Sequence, residues 1–404
     1  MPEHDGYALD SILPGKSKEY KYFNDHAATY WYHDHQYMMT AHHNYMGLAG
    51  MYIVQDEVED RLPLPKGDYD VPLLIADRTF NPKDYSLCFN PDSDTILVNG
   101  APWPRMEVAN RKYRFRILNG SISTAYQLAL EPGKQFTKQF TVIGTDAGLM
   151  SKPVEVFSLR IGPAERYEVI IDFSKYSIGT KVELQNLLGL TDAGVPDPTF
   201  SKIMRFDVVR EEKDNTVTPN TLRNDIQLLA PAAASVSSAA LRPSAASTSS
   251  STKITFRDFL LDQDSNQKWV INGKGFDPKF FAAEPNLGDT EIWQFRNTSF
   301  TDYHLVHLHL VKFTILERRG VSKDVLPDAD KNGVLPYEHN PKDTVFLDKR
   351  QQNGPETSVK LLVKFEKHTG KYMFHCHVLD HEDCDMMSQF CVKPSDCKVP
   401  IPIP

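Results

Sequence analysis

Three short segments hold most of the side chains in this sequence that could bind a transition metal. KYMFHCHVLDHEDCDMM (Lys371–Met387) carries His375, Cys376, His377, His381 and Met386; HLVHLHL carries His304, His307 and His309; WYHDH carries His33 and His35. Eight of the fourteen histidines fall there, although the chain has only five cysteines. A thiolate with two imidazoles and a weak axial thioether makes a blue electron-transfer copper site, whereas all-histidine sites suit copper that binds and reduces dioxygen. Cys376, His381 and Met386 follow at intervals of five, and His304 could complete that set from a neighbouring strand.

Alternation along a strand sorts these groups. Successive side chains point to opposite faces, so His375 and His377 share the face opposite Cys376. His307 and His309, and likewise His33 and His35, share a face in the same way. Each piece alone has a plain structural reading. An H-x-H on a strand is ordinarily two satisfied histidines, Cys376 a buried apolar filler, and Met386 a core residue. Zinc competes, but the CxxC spacing of its structural sites is absent. The ordered combination HxxHxH, HCHxxxHxxxxM and an upstream HxH decides for a metal.

These segments must be held by β-structure. MYIV (51–54), VPLLI (71–75), YRFRIL (113–118), YEVIIDF (167–173), EIWQF (291–295) and VKLLVKF (359–365) are β-branched or aromatic-rich and bounded by turn residues. No segment sustains a helical period, so the expected fold class is all-β, built as sandwiches or barrels. ILVNGAPWP…YRFRILNGS (96–121) is echoed by WVINGKGFDP…EIWQFRNTS (269–299), which suggests two copies of one β-domain. Between them, residues 230–252 are nearly all Ala, Ser, Pro and Thr and read as a flexible connector.

At 404 residues the chain exceeds one ordinary core. A net charge of −8 without a Lys/Arg-rich run argues against a nucleic-acid or anionic-membrane partner, and no apolar run is long enough to span a bilayer. MPEHDGYALD lacks the features of a signal peptide. Even so, Cys391 and Cys397 are placed to pair in an oxidising compartment, and Asn119-Gly-Ser and Asn297-Thr-Ser are glycosylation sequons, so the expectation leans towards secretion.

The motifs TYWYHDH…GLAGMYIV, DYDVPLLIADRTF, ILVNGAPWP, RKYRFRILN, PAERYEVIIDF, TEIWQFRN, HLVHLHLVKF and YMFHCHVLDHEDCDMM together resemble the multicopper oxidases of the bilirubin-oxidase and spore-coat-laccase type. The resemblance runs from about Asp5 to Val392. It implies tandem cupredoxin-like domains: an incomplete N-terminal one over 1–60, a second over 61–212, a connector over 213–252, and a C-terminal one over 253–404. It also implies a copper-dependent oxidase that takes single electrons from phenolic or tetrapyrrole donors and reduces dioxygen to water. By motif, His304, Cys376 and His381 resemble the type 1 copper ligands with Met386 axial, and His307 a type 2 ligand. His33, His35, His309, His375 and His377 resemble the type 3 ligands. Glu382 and Asp5 match acids that assist proton delivery in this family.

The family's fourth motif, HxHG, normally precedes the Asp-Gly pair by about ten residues, but only four residues precede Asp5 here. The expectation is that it would fall upstream of Met1, taking with it one type 2 ligand, one type 3 ligand and the first strands of domain 1. Three accounts stay open: a fragment or wrongly started reading frame; a truncated protein with a defective cluster or one that borrows His4, His42 or His43; or an electron-transfer protein keeping only its type 1 copper.

Overall fold

The structure is a computed structural model that describes residues 2–131, 138–188, 197, 200–226 and 254–397. The low-complexity stretch over 230–252 lies outside the described residues. Strands dominate, and each run picked out above falls in one, with only Phe173 and Phe365 beyond a strand end.

Three sets of sheets follow in chain order. Ala28–His33 and Ala49–Val54 pair as an antiparallel two-stranded sheet. Next, an eight-stranded sheet, with Lys112–Asn119 between Asp70–Phe80 and Arg166–Asp172, accompanies a five-stranded sheet. Their apolar faces form one core that includes Ile75, Phe115, Tyr167, Val169 and Phe206. The third set is a five-stranded sheet around Thr290–Asn297 and a four-stranded sheet ordered Thr344–Leu347, His304–Leu308, Gly370–Cys376, Met387–Val392. Its separate core includes Trp293, Phe295, Leu361 and Phe374.

The echo in the sequence is a repeat of local architecture. In one copy Asn99 and Gly100 take φ of 51° and 82°, and in the other Asn272 and Gly273 take 52° and 72°. This left-handed pair suits Asn-Gly, and in each copy the Asn side chain bonds back to the adjoining strand: Asn99 to Leu74 N–H and Pro72 O, Asn272 to Leu260 N–H and Asp258 O. The strand that closes each copy, Lys112–Asn119 in one and Thr290–Asn297 in the other, pairs in parallel with that adjoining strand.

Two sequence expectations change. Asn119 and Asn297 are fully buried and donate their side-chain amides to backbone carbonyls, so neither sequon is open to glycosylation. The part of the proposed connector over 213–226 packs back on the first two units: Leu222 is buried in the core of the second, and Arg223 binds Asp56 of the first at 2.7 Å.

Buried ion pairs tie the units together. Glu168 holds Arg114 and Arg116 and accepts from Thr29 of the first hairpin at 2.7 Å. Arg116 also binds Glu59 and Asp70, at 2.8 and 2.7 Å. Removing one partner strands a buried charge, so Glu168→Gln is expected to cost about 3–5 kcal/mol in urea unfolding. A loss below about 1 kcal/mol would mean the network does not hold the units.

Candidate metal centres

The strand Gly370–Cys376 decides the site. It pairs antiparallel with His304–Leu308 so that His307 faces His375 and Val306 faces Cys376. Paired residues share a face of the sheet. Cys376 therefore joins the face of His304, while His375 joins that of His307.

On the first face, Cys376 Sγ lies 3.5 Å from His304 Nδ1 and 3.8 Å from His381 Nδ1, and the two nitrogens are 3.3 Å apart. A three-coordinate ion with bonds of about 2.0 Å to nitrogen and about 2.3 Å to sulfur needs separations of about 3.5 and about 3.7 Å. The donors fit one first-row ion. His381 is placed by the short helix Leu379–Asp383, whose preceding strand ends at Cys376. Met386 is fully buried beside them, its N–H donating to His381 O and its carbonyl accepting from Cys376 N–H, each at 3.0 Å. Trp269 covers the set, its ring 4.1 Å from the His381 ring and edge-on to His304 at 5.3 Å. Burial pushes the Cys376 thiol up and both imidazoles down. The imidazoles are thus neutral and free to ligate, and the thiol gives up its proton only to a cation that replaces it.

On the other face, His33, His35, His307, His309, His375 and His377 form one set of touching rings. His35 Nε2 and His309 Nε2 each lie 3.2 Å from His375 Nε2. Four of the six have Nδ1 held by oxygen from behind. His33 donates to Asp34 O at 2.8 Å and His307 to Asp343 O at 2.9 Å. His309 donates to Asp5 at 2.9 Å, and His375 to Cys376 O at 3.1 Å, with a Glu382 oxygen 2.8 Å away. A carbonyl oxygen only accepts, so Nδ1 carries the proton in His33 and His307 and Nε2 keeps its lone pair. Oxygen behind an imidazole is how proteins fix a metal ligand's tautomer.

Glu382 reaches His35 as well, at 3.4 Å. Burial pushes its carboxyl up, but His375 and His35 outweigh this and hold it down at about 2. His33 is lowered by burial to about 4, and burial also lowers His35, His307 and His377. Only His309 is raised: burial opposes it, and Asp5 prevails.

All ten residues expected to bind metal lie in or against these two sets, with Asp5 and Glu382 behind the second. His42 and His43, candidates to stand in for the missing ligands, lie on a short helix, Thr40–Tyr45. His42 packs on Phe89 and His43 pairs with Asp34 at 2.8 Å, so neither joins the cluster. His4 lies on the 3₁₀ turn Pro2–His4 with its Nδ1 buried and unbonded.

Three multicopper oxidase family models match residues 1–59, 72–186 and 248–396. The chain is 36% identical to a laccase of Bacillus stratosphericus, the match covering 91% of this chain and 72% of that protein. It is 35% identical to a bilirubin oxidase of Albifimbria verrucaria, covering 96% and 64%. The chain belongs to the multicopper oxidase family. The crystal structure of the McoA multicopper oxidase of Aquifex aeolicus superposes with a TM-score of 0.78 at 29% identity, covering 96% of this chain and 81% of that one. This multicopper oxidase is thus a copper-dependent oxidoreductase with cupredoxin-like domains, served by small-molecule electron donors and dioxygen.

Four supporting residues escaped the sequence reading. Trp31 stacks on His33 at 4.3 Å, and Trp269 lay in a segment noted only for its repeat. Asp34 sits inside the WYHDH motif but supports through its backbone. Asp343 was invisible: it backs His307 and is itself gripped by Arg166 at 2.8 and 2.6 Å, which outweighs burial and holds its carboxyl low.

In this oxidase Glu382→Gln removes the carboxylate charge that lies 2.8 Å from His375 and 3.4 Å from His35. Copper affinity of the histidine cluster is expected to fall about 10- to 100-fold in competition dialysis, with the colour of the Cys376 site kept. Unchanged affinity would remove Glu382 from the cluster's support.

Proposed function

We propose that His304, Cys376 and His381, with Met386 axial, hold a type 1 copper. His307 is a type 2 ligand, and His33, His35, His309, His375 and His377 are type 3 ligands. The observation that carries this reading is the placement of the two donor sets on opposite faces of one strand, with Cys376 between His375 and His377. Bound copper supplies one-electron redox chemistry on the first face and four-electron reduction of dioxygen to water on the second. The chain's own part is geometric. Two peptide links join Cys376 to the histidines on either side, the shortest covalent route between the faces.

Phenolic or tetrapyrrole donors are the substrate class. Support comes from the names of the relatives and from the surface. His381 keeps 7% exposure, whereas His304 and Cys376 have none, so a donor meets that imidazole edge first. Glu382 and Asp5 serve proton delivery: Glu382 touches two imidazoles of the cluster, and Asp5, more exposed, touches a third. Secretion is the compartment this reading favours, supported by the disulfide between Cys391 and Cys397.

Copper loading followed by metal analysis, visible and EPR spectra and oxygen uptake tests the assignment. Cys376→Ser is expected to lose the copper–thiolate colour and donor oxidation while the histidine cluster keeps its copper. A variant that stays coloured, or oxidises donors at the parent rate, would overturn it.

A further inference from the structure

A second site lies where the three units meet, lined by none of the copper-ligand candidates. Between Ala147–Leu149 of the second unit, Leu310–Thr314 and Lys364–Lys367 of the third, and His26 and Arg223 opens a cavity of about 310 Å³. That volume is at the small end of the range for small-molecule sites. The backbone there is closely fitted: Gly148 has φ +96°, and a Cβ on it would come within 2.2 Å of Ala27 O.

The wall carries His26, Arg223, Lys312, Lys364 and Lys367 against two carboxylates, Asp225 and Glu366. Most of its carboxylate partners are already taken. Arg223 binds Asp56 and Asp225 at 2.7 and 2.8 Å, Lys367 binds Asp25 at 2.7 Å, and Lys364 binds Glu366 at 2.5 Å. Lys312 is different. Among the described residues no carboxylate lies within ion-pair distance of it and no hydrogen bond satisfies its ammonium, and the side chain is only partly exposed. Burial, and then the charge of Lys367, push its amine down to about 7, against the weaker pull of Asp343 and Asp25. Leu149, Val311 and Phe313 add an apolar lining that keeps the local dielectric low. A cation held partly out of water without a counter-ion is costly, and an anion brought to it recovers part of that cost.

We propose that this cavity binds a small anion bearing carboxylate or phosphate oxygens, with Lys312 as its charged anchor and Arg223 and Lys367 on the rim. A guanidinium and two ammonium-bearing side chains lining one cavity suit an oxyanion, which can accept from several donors at once. The inference does not rest on the copper assignment, and copper-free protein tests it.

Calorimetry of the full chain with inorganic phosphate, and separately with citrate, is expected to show one saturable site per chain. Whichever anion binds tells a phosphate site from a carboxylate site. Lys312→Met is expected to weaken that binding about tenfold or more without changing the unfolding transition. As a second measurement, lysines of the unsubstituted chain are reductively methylated with ¹³C and titrated by NMR. The anion is expected to raise the midpoint of the signal missing from Lys312→Met, because it favours the charged amine. The proposal is overturned if neither anion binds saturably, or if Lys312→Met binds as well as the parent. Should that variant not fold, the absence of any lysine signal whose midpoint rises with the anion overturns it equally.

Discussion

Side chains on a β-strand point to opposite faces in turn, and the two candidate metal centres of this oxidase depend on that alternation along His375, Cys376 and His377. One residue's slip in the pairing of Gly370–Cys376 with His304–Leu308 would move the sulfur to the histidine cluster and the imidazoles to the other face. The register is protected on both sides. Phe374 and Val306 are sunk in the core of the third unit, and Met387–Val392 pairs along the far edge of the strand. Core packing therefore sets the distance and orientation of the donors before any metal arrives.

The histidine cluster needs more than that strand, because His33 and His35 come from a hairpin of only two strands. Such a hairpin is marginal by itself. Its position is fixed by polar contacts that cross units: Thr29 with Glu168 and Arg166, and Arg166 in turn with Asp343 behind His307. Nearby, Lys342 is fully buried between Asp146 and Glu165 at 2.8 and 3.1 Å. Charges taken out of water in this way give little net stability. They do penalise any misplacement, since a shifted unit would leave an ion without its partner. The result is a precise meeting of three units around six imidazoles.

Much of this was readable along the chain because the informative features are local. Alternation within HCH and HLVHLHL needs only strand geometry, and the Asn-Gly repeat marks turns whose left-handed backbone few other residues tolerate. The misreadings have a common cause. Asn119 and Asn297 look like sequons, yet each side chain closes a turn from within, and no local signal reports burial. His42 and His43 follow a strand motif, but Asp383 of the third unit accepts from the N–H groups of Thr40 and Ala41, at 3.0 and 2.9 Å, and starts a helix there. Residues 213–226 look like linker and are held by contacts with distant Pro63, Ser151 and Asp56.

By itself, then, the sequence determined the β-class of the fold, which histidines gather around the Cys376 strand and the division of Cys376 from its neighbours. Residue type and period-two alternation carry those properties without reference to the rest of the molecule. Tertiary structure alone decided that His381 turns back towards His304, that His35 and His309 converge on His375, and that Asp343 and Asp5 hold Nδ1 of His307 and His309. It also brought Trp269 onto His381 and left Lys312 facing a cavity without a counter-ion. These are distances between residues far apart in the chain, set by packing and charge pairing across units.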